Sequence, residues 1–202
     1  MKAPMISIKP IWMAKILNGE KIIEVRKNKA LASAIQKLID ENGYADIYVY
    51  CSKDVKNLLH KNCVDIYWIE DKDFRNKNKQ LGLQTQPILN GKVLFKFRCY
   101  KVEEITPQMW TPKIEHEITE KSCLKEHELF DYICSHDDTE DRPFYAIHIS
   151  NLEIFDKPRE LSEFSVRCPK ADAKFDSIKG KMLAYKSLTK APQNYCYIET
   201  GN

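Results

Sequence analysis

Alternation and helical spacing divide the chain into short pieces that each predict one element. Ile6 and Ile8 flank Ser7 with the two-residue period of a half-buried strand. Pro10 suits the first turn of a helix, where its missing N–H costs nothing, and Ile11, Ala14, Ile16 and Leu17 lay an apolar stripe along that helix. Gly19, after Asn18, fits a left-handed cap. Lys21–Arg26 is rich in β-branched residues and predicts a second strand, with Ile23 and Val25 on one face and Ile22, Glu24 and Arg26 on the other. The chain from Ser7 to Arg26 thus reads strand, helix, strand, with charge gathered at the second junction.

Beyond it, Leu31, Ile35, Leu38 and Ile39 predict an amphipathic helix ending near Gly43, and Ala45–Cys51 a strand with Ile47 and Val49 opposite Tyr48 and Tyr50. Residues 55–61 read as a short helix, 64–69 as a strand, and the Lys- and Asn-rich stretch 71–80 as a solvated loop. Asn90-Gly91 opens a long strand over 92–102, in which Val93, Phe95, Phe97 and Cys99 alternate with Lys92, Leu94, Lys96, Arg98 and Tyr100. Pro107 and Pro112 mark 103–121 as an irregular crossover. Ser122 then caps a helix whose inner side includes Leu129, Tyr132 and Ile133, flanked by His127 and Glu128. Strands follow at 144–150 and near 195–199, separated by a weakly patterned, basic stretch at about 165–190. One core is expected to receive Ile23, Val25, Ile47, Val49, Val93, Phe95, Ile147 and Ile149.

Composition narrows the function classes. With 202 residues, 43% hydrophobic and 30% charged, the chain has the make-up of an ordinary globular protein, and a net charge of +3 gives it no general polyanion-binding character. Any nucleic-acid role must rest on local clustering. Seven cysteines without a C-x-x-C pair, and no secretion signal, argue for buried thiols rather than disulfides or a zinc site. His60, His116, His127, His136 and His148 show no metal-ligand spacing, and no glycine-rich phosphate loop or nucleophile elbow is present, so no metal and no cofactor is expected. No stretch is long and apolar enough to span a membrane, and the expected location is the cytoplasm.

Gly19-Glu20-Lys21-Ile22-Ile23-Glu24-Val25-Arg26 resembles the G-x-K-x-x-E-x-R signature of ASCH domains, small proteins of the PUA-like superfamily. The preceding SIKPIWMAKILNGE resembles the strand and helix that lead into it. NGKVLFKFRCYKVEEI resembles their middle strand, NLEIFDKPRELSEF a segment of the longer, prophage-type group, and Ala191–Glu199 their Pro-Gln-Ser-Trp-x-Tyr-Val closing strand, with Asn194 and Tyr195 in place of Ser and Trp. The resemblance implies an α+β fold: a PUA-like twisted, largely closed β-barrel with surrounding helices, as one domain over 1–202 with an insertion at about 165–190.

Lys21, Glu24 and Arg26 admit three readings. On residue types alone they form a surface ion-pair strip of little energetic weight. In the second reading they form a basic cleft in which Lys9, Lys21 and Arg26 neutralise phosphates, Ser52 supplies a hydroxyl or loop N–H, and aromatics such as Trp12, Tyr50 and Tyr195 stack bases. In this reading joint loss of Lys21 and Arg26 weakens RNA binding and leaves stability nearly unchanged, whereas unchanged affinity with a collapsed melting temperature marks a purely structural role. In the third, Lys21 is a catalytic amine. The resemblance supplies precedents: ASCH domains are regarded as RNA-binding modules, some small bacterial members cleave the acyl amide of N4-acetylcytidine, and others are described as ribonucleases. The amidohydrolases use a motif Lys, a Thr three residues later and a distant Glu. Lys21 matches the first, Glu24 stands where the hydroxyl would be, and Glu126 or Glu120 is the candidate for the third. The expected partner is therefore RNA or a nucleotide-like ligand, with an amidohydrolase of the N4-acetylcytidine type or a ribonuclease using Lys21, with Glu24 and Glu126, as the alternative and a vestigial protein-interaction module as a third possibility.

Overall fold

The structure, a computed structural model, describes residues 2–82, 86–133, 143–167, 174–176, 181–183 and 185–200. The chain opens with β1 (Lys2–Ile8), α1 (Pro10–Leu17), β2 (Ile23–Arg26), α2 (Lys29–Asn42) and β3 (Ala45–Cys51). Then come β4 (Asn57–Lys61), β5 (Tyr67–Asp71), α3 (Lys72–Gln80), β6 (Val93–Cys99) and β7 (Val102–Ile105). After them lie α4 (Pro112–Ser122), α5 (Glu126–Ile133), β8 (Phe144–His148) and β9 (Ser150–Arg159). Short strands β10 (Ser165–Arg167), β11 (Lys174–Asp176), β12 (Lys181–Leu183) and β13 (Tyr185–Ser187) precede β14 (Tyr195–Glu199).

The fold is α+β, with the strands in separate sheets rather than the largely closed barrel expected. The main sheet runs β13-β10-β14-β1-β3-β6-β9, with β1 and β3 parallel and the other neighbours antiparallel. Its edge strands β13 and β9 do not pair with each other among the described residues. A second sheet, β2-β8-β7, stands apart, and α2 packs against strands of both. Among the described residues no strand pairs one of these sheets with the other. The chain changes sheets at two corners. One is Tyr100-Lys101, which divides the predicted 92–102 strand into β6 and β7; the other is Ile149, between β8 and β9.

The two sheets also explain why the expected core is divided. Ile47, Val49, Phe95 and Ile147 belong to the main cluster, with half-buried Ile149 packed against it. Ile23 and Val25 face a second cluster with Phe144, Ala146, Ile118 and Leu129, and Val93 a third with Met5, Tyr50 and Phe164. The predicted alternation on β2 holds, but the two faces of this thin sheet serve different layers.

Three local expectations give way. Residues 57–61 pair with 67–71 as a hairpin instead of forming a helix, placing Leu59 and Tyr67 in the main core. The loop expected at 71–80 contains α3, whose N-cap Asp71 accepts from the backbone N–H groups of Asp73 and Phe74. None of its residues is buried, so no apolar stripe announced it. The crossover is ordered too: Thr111 caps α4, Pro112 occupies its first turn, and Ser122 ends this helix rather than starting the next. Cys134, His136 and Cys168, and parts of the 165–190 stretch, lie outside the described residues.

A side-chain clasp fixes the hairpin beside α1. Asn18 donates through Nδ2 to the Tyr67 carbonyl at 2.8 Å and accepts from the Tyr67 N–H at 3.0 Å. Within the hairpin, His60 is fully buried. Its Nδ1 lies 2.8 Å from the Pro87 carbonyl, and its Nε2 lies 3.1 Å from Glu70, which also accepts from Arg75 at 3.0 Å. Burial is the largest influence and holds the imidazole below its usual pKa, against the opposing pull of the Pro87 carbonyl and Glu70.

That depression fixes a sign. The unfolded chain takes up the His60 proton first on acidification, so this group's contribution is complete above the unfolded value of about 6.5 and is lost as pH falls toward the lower folded value. Urea unfolding of the wild type and His60→Gln at several pH values is expected to show a stability difference that shrinks from pH 7.5 to pH 5. A constant difference would contradict the assignment.

Candidate functional site

The second strand enters the molecule through a short sequence of backbone constraints. Gly19 adopts a left-handed φ of 77°, a conformation that glycine reaches at no steric cost. Past it, the N–H groups of Glu20 and Lys21 both donate to the Lys15 carbonyl, at 2.8 and 3.1 Å, and Ile22 N–H donates to Lys121 O at 2.9 Å. This turn drives Lys21 inward: only 3% of it is exposed. Its Nζ donates to the carbonyl of Ser122 at 2.9 Å, lies 3.3 Å from Glu24 Oε2, and sits 5.6 Å from the centre of the Trp12 ring. Ser122 is the last residue of α4, so the ammonium meets the negative end of that helix.

Glu24 is the middle of a chain of charges. It is 8% exposed, and its Oε1 lies 2.8 Å from Arg26 Nε. The Nε–H is not aligned with that oxygen and has no hydrogen-bond partner, so the contact is a close ionic one. Arg26 Nη2 donates to the Ser7 carbonyl at 2.8 Å. An unbroken path therefore links the end of α4 to β1 through Lys21, Glu24 and Arg26. The surface ion-pair strip is corrected by this geometry: side-chain exposures of 2%, 10% and 16% describe a buried clamp.

Above the clamp opens a cleft of about 330 Å³. Ser7, Ile8 and exposed Lys9 form one side, Trp12 of α1 another, and Leu124 with Glu128 and Tyr132 of α5 the third. Lys21, Glu24 and Arg26 also line it. Three cations thus face two carboxylates, and one carboxylate, Glu24, is already held by Lys21 and Arg26. Glu128 Oε2 accepts from the Lys125 N–H at 2.9 Å, which leaves Oε1 with no hydrogen bond among the described residues. Tyr132 carries Lys27 Nζ 5.5 Å from its ring centre. The arrangement can hold a small ligand with a planar group and a negative charge.

Of the other sequence candidates, Ser52 does not line the cleft; its N–H donates to Ile8 O at 2.9 Å and prolongs the pairing of β3 with β1. Tyr195 packs against the main core, with its Oη 3.4 Å from Ala30 O. Glu126 lines a separate shallow groove with His116, Thr119 and Glu120. Two residues on, Glu128 lies well around the helix from it and turns to the cleft instead. His148 is hydrogen-bonded to Glu103 and lies off the cleft.

Glu128 and Tyr132 were not read as cleft residues, although their four-residue spacing places them on one helix face. What the sequence could not supply was the direction in which α5 presents that face. Cys51 and Cys99 are buried, which pushes their thiols up to about 12 and about 11, far from a reactive thiolate. No cluster of three metal-ligating side chains occurs among the described residues, and none of their helices is long and apolar enough to cross a membrane.

No family model and no curated protein sequence matches the chain. Among solved structures it is similar to ASCH from Zymomonas mobilis, at 13% identity over 98% of this chain and 87% of that one, with a TM-score of 0.49. It is also similar to the N-terminal domain of Staphylothermus marinus McrB, at 8% identity over 80% of this chain and 77% of that one, with a TM-score of 0.45.

The clamp changes the expected effect of mutation. Lys21→Ala strips a buried carboxylate of one cation and leaves the Ser122 carbonyl without its donor, so a loss of about 3 kcal/mol is expected. Lys9→Ala, at an exposed position, is expected to change stability by less than about 0.5 kcal/mol. Urea unfolding of the two variants measures the contrast, and equal stability would remove Lys21 from the frame of the fold.

Proposed function

We propose that this cleft binds a nucleotide unit of RNA, or a modified nucleotide, through a cationic rim and aromatic walls. The observation that carries the reading is the meeting of Lys9, Arg26, Trp12 and Tyr132 around one opening of about 330 Å³, contributed by separate elements. Lys9 is the exposed cation at the mouth and suits a phosphate. Trp12 and Tyr132 offer π faces for a base, an interaction tolerant of base identity. The free oxygen of Glu128 can accept from an exocyclic amine or a ribose hydroxyl. Binding is favoured over hydrolysis because Lys21 Nζ is already engaged by a main-chain carbonyl and a carboxylate, and because Glu126 lines a different groove. The resemblance to ASCH domains points the same way.

Fluorescence anisotropy with a labelled single-stranded RNA across a salt series tests the reading. Lys9→Glu is expected to weaken binding at least tenfold and to lower the salt slope by about 0.7, the value of one lost phosphate contact on a single strand, with the melting temperature unchanged. Unaltered affinity in Lys9→Glu would sink the proposal. Incubation with N4-acetylcytidine supplies the competing outcome: turnover by the wild type that disappears in Lys21→Arg would make the cleft a hydrolase site.

A further inference from the structure

We infer that the ligand is a strand rather than a single nucleotide, with its next unit received by a second groove between α2 and the β7–β8 sheet. The inference rests on the nucleotide reading of the first cleft and extends it. The second groove has a volume of about 320 Å³ and is lined by Lys29, Ser33 and Lys37 of α2 and by Glu104 and Tyr145 of β7 and β8.

Strand register places the two openings side by side. Arg26, in the first cleft, is directly opposite Tyr145, which is in turn opposite Glu104, so one cross-strand row runs from cleft to groove. The main chain makes the same short journey. Arg26 faces the cleft, Lys27 lies over the Tyr132 ring on its wall, Asn28 caps α2, and Lys29 opens the second groove. Three residues extended reach at most about 11 Å, a distance short on the scale of a dinucleotide.

The second groove sets two lysines, Lys29 and Lys37, beside two carboxylates, each with one neutral donor: Glu104 accepts from Tyr145 Oη at 3.5 Å, and Asp40 accepts from Gln36 Nε2 at 2.8 Å. The Lys29 side chain is exposed and makes no hydrogen bond or ion pair among the described residues. Lys37 has only a long contact of 3.8 Å to Glu41 and remains 74% exposed. Lys9, Lys27 and Lys29 therefore mark a cationic line that leaves the first cleft and ends in the second. A phosphodiester backbone carries one anionic charge per unit and fits such a line. A lone nucleotide would use only its beginning.

Isothermal titration with the four ribonucleoside 5′-monophosphates, and with a mixed-sequence hexaribonucleotide, separates the two ideas. The hexamer is expected to bind about tenfold tighter than any monophosphate, with a salt slope steeper by about 0.7 for each added phosphate contact. Lys29→Glu is expected to remove most of that advantage and leave monophosphate binding unchanged. An acidic residue in the first turn of α2 suits the helix dipole, so the variant is expected to fold, and thermal melting verifies it. A hexamer that binds no tighter than a monophosphate, or is indifferent to Lys29→Glu, overturns the strand inference while the cleft reading stands. Absence of binding by both ligands overturns the two together.

Discussion

A carboxylate withdrawn from water costs several kcal/mol, on the order of a whole domain's net stability, unless cations and donors replace the lost hydration. Glu24 meets that requirement between Lys21 and Arg26, and each of those cations is tied in turn to a backbone carbonyl. The consequence reaches beyond one strand. The carbonyls belong to the end of α4 and to β1, so the charge chain sets the distance between the second sheet with its helices and the main sheet. The cleft is the gap that this spacing leaves open.

Other features fall into place around that spacing. Gly19 turns the chain so that Lys21 points inward, Ile23 and Val25 seal the outer face of β2 against α4 and α5, and Ile147 seals the inner face against the main core. A sheet only three strands wide thus separates two apolar layers and carries a polar cluster at one end. The aromatic walls arrive from opposite sides, Trp12 on α1 and Tyr132 on α5, elements far apart in sequence that the clamp brings to one opening.

Much of this was legible in the residues, for identifiable reasons. Two-residue alternation is sharp on β2 and β3, where Ile23 and Val25 turn away from Glu24 and where Ile47 and Val49 enter the main core. The single core expected for Ile23, Val25 and Ile147 is instead two, because Ile147 lies on the face of Glu24. The end of α2 was announced by Gly43, which turns left-handed there. The failures share one physical cause: information carried by other parts of the chain. Whether Glu24 and Lys21 are surface or interior depends on α4 and α5 covering them. The division of 92–102 into two strands depends on a corner between sheets, and the separation of the sheets depends on pairings between strands far apart in sequence. Exposed α3 has no core-facing stripe to detect, so its local signs were its cap at Asp71 and the charges of its ends, Asp73 in the first turn and Lys77 and Lys79 in the last.

The placement of the clamp divides labour within the cleft. Lys21, Glu24 and Arg26, the residues of the recognisable motif, are tied to one another and to the backbone. Lys9, Trp12, Glu128 and Tyr132 lie outside the motif and present the groups that an incoming molecule would meet first. A chain bearing the same motif would therefore inherit the shape of this opening without inheriting its taste. If the cleft binds as proposed, changes at the rim would alter what is admitted while the frame beneath remains intact, and selectivity could be exchanged without rebuilding the fold.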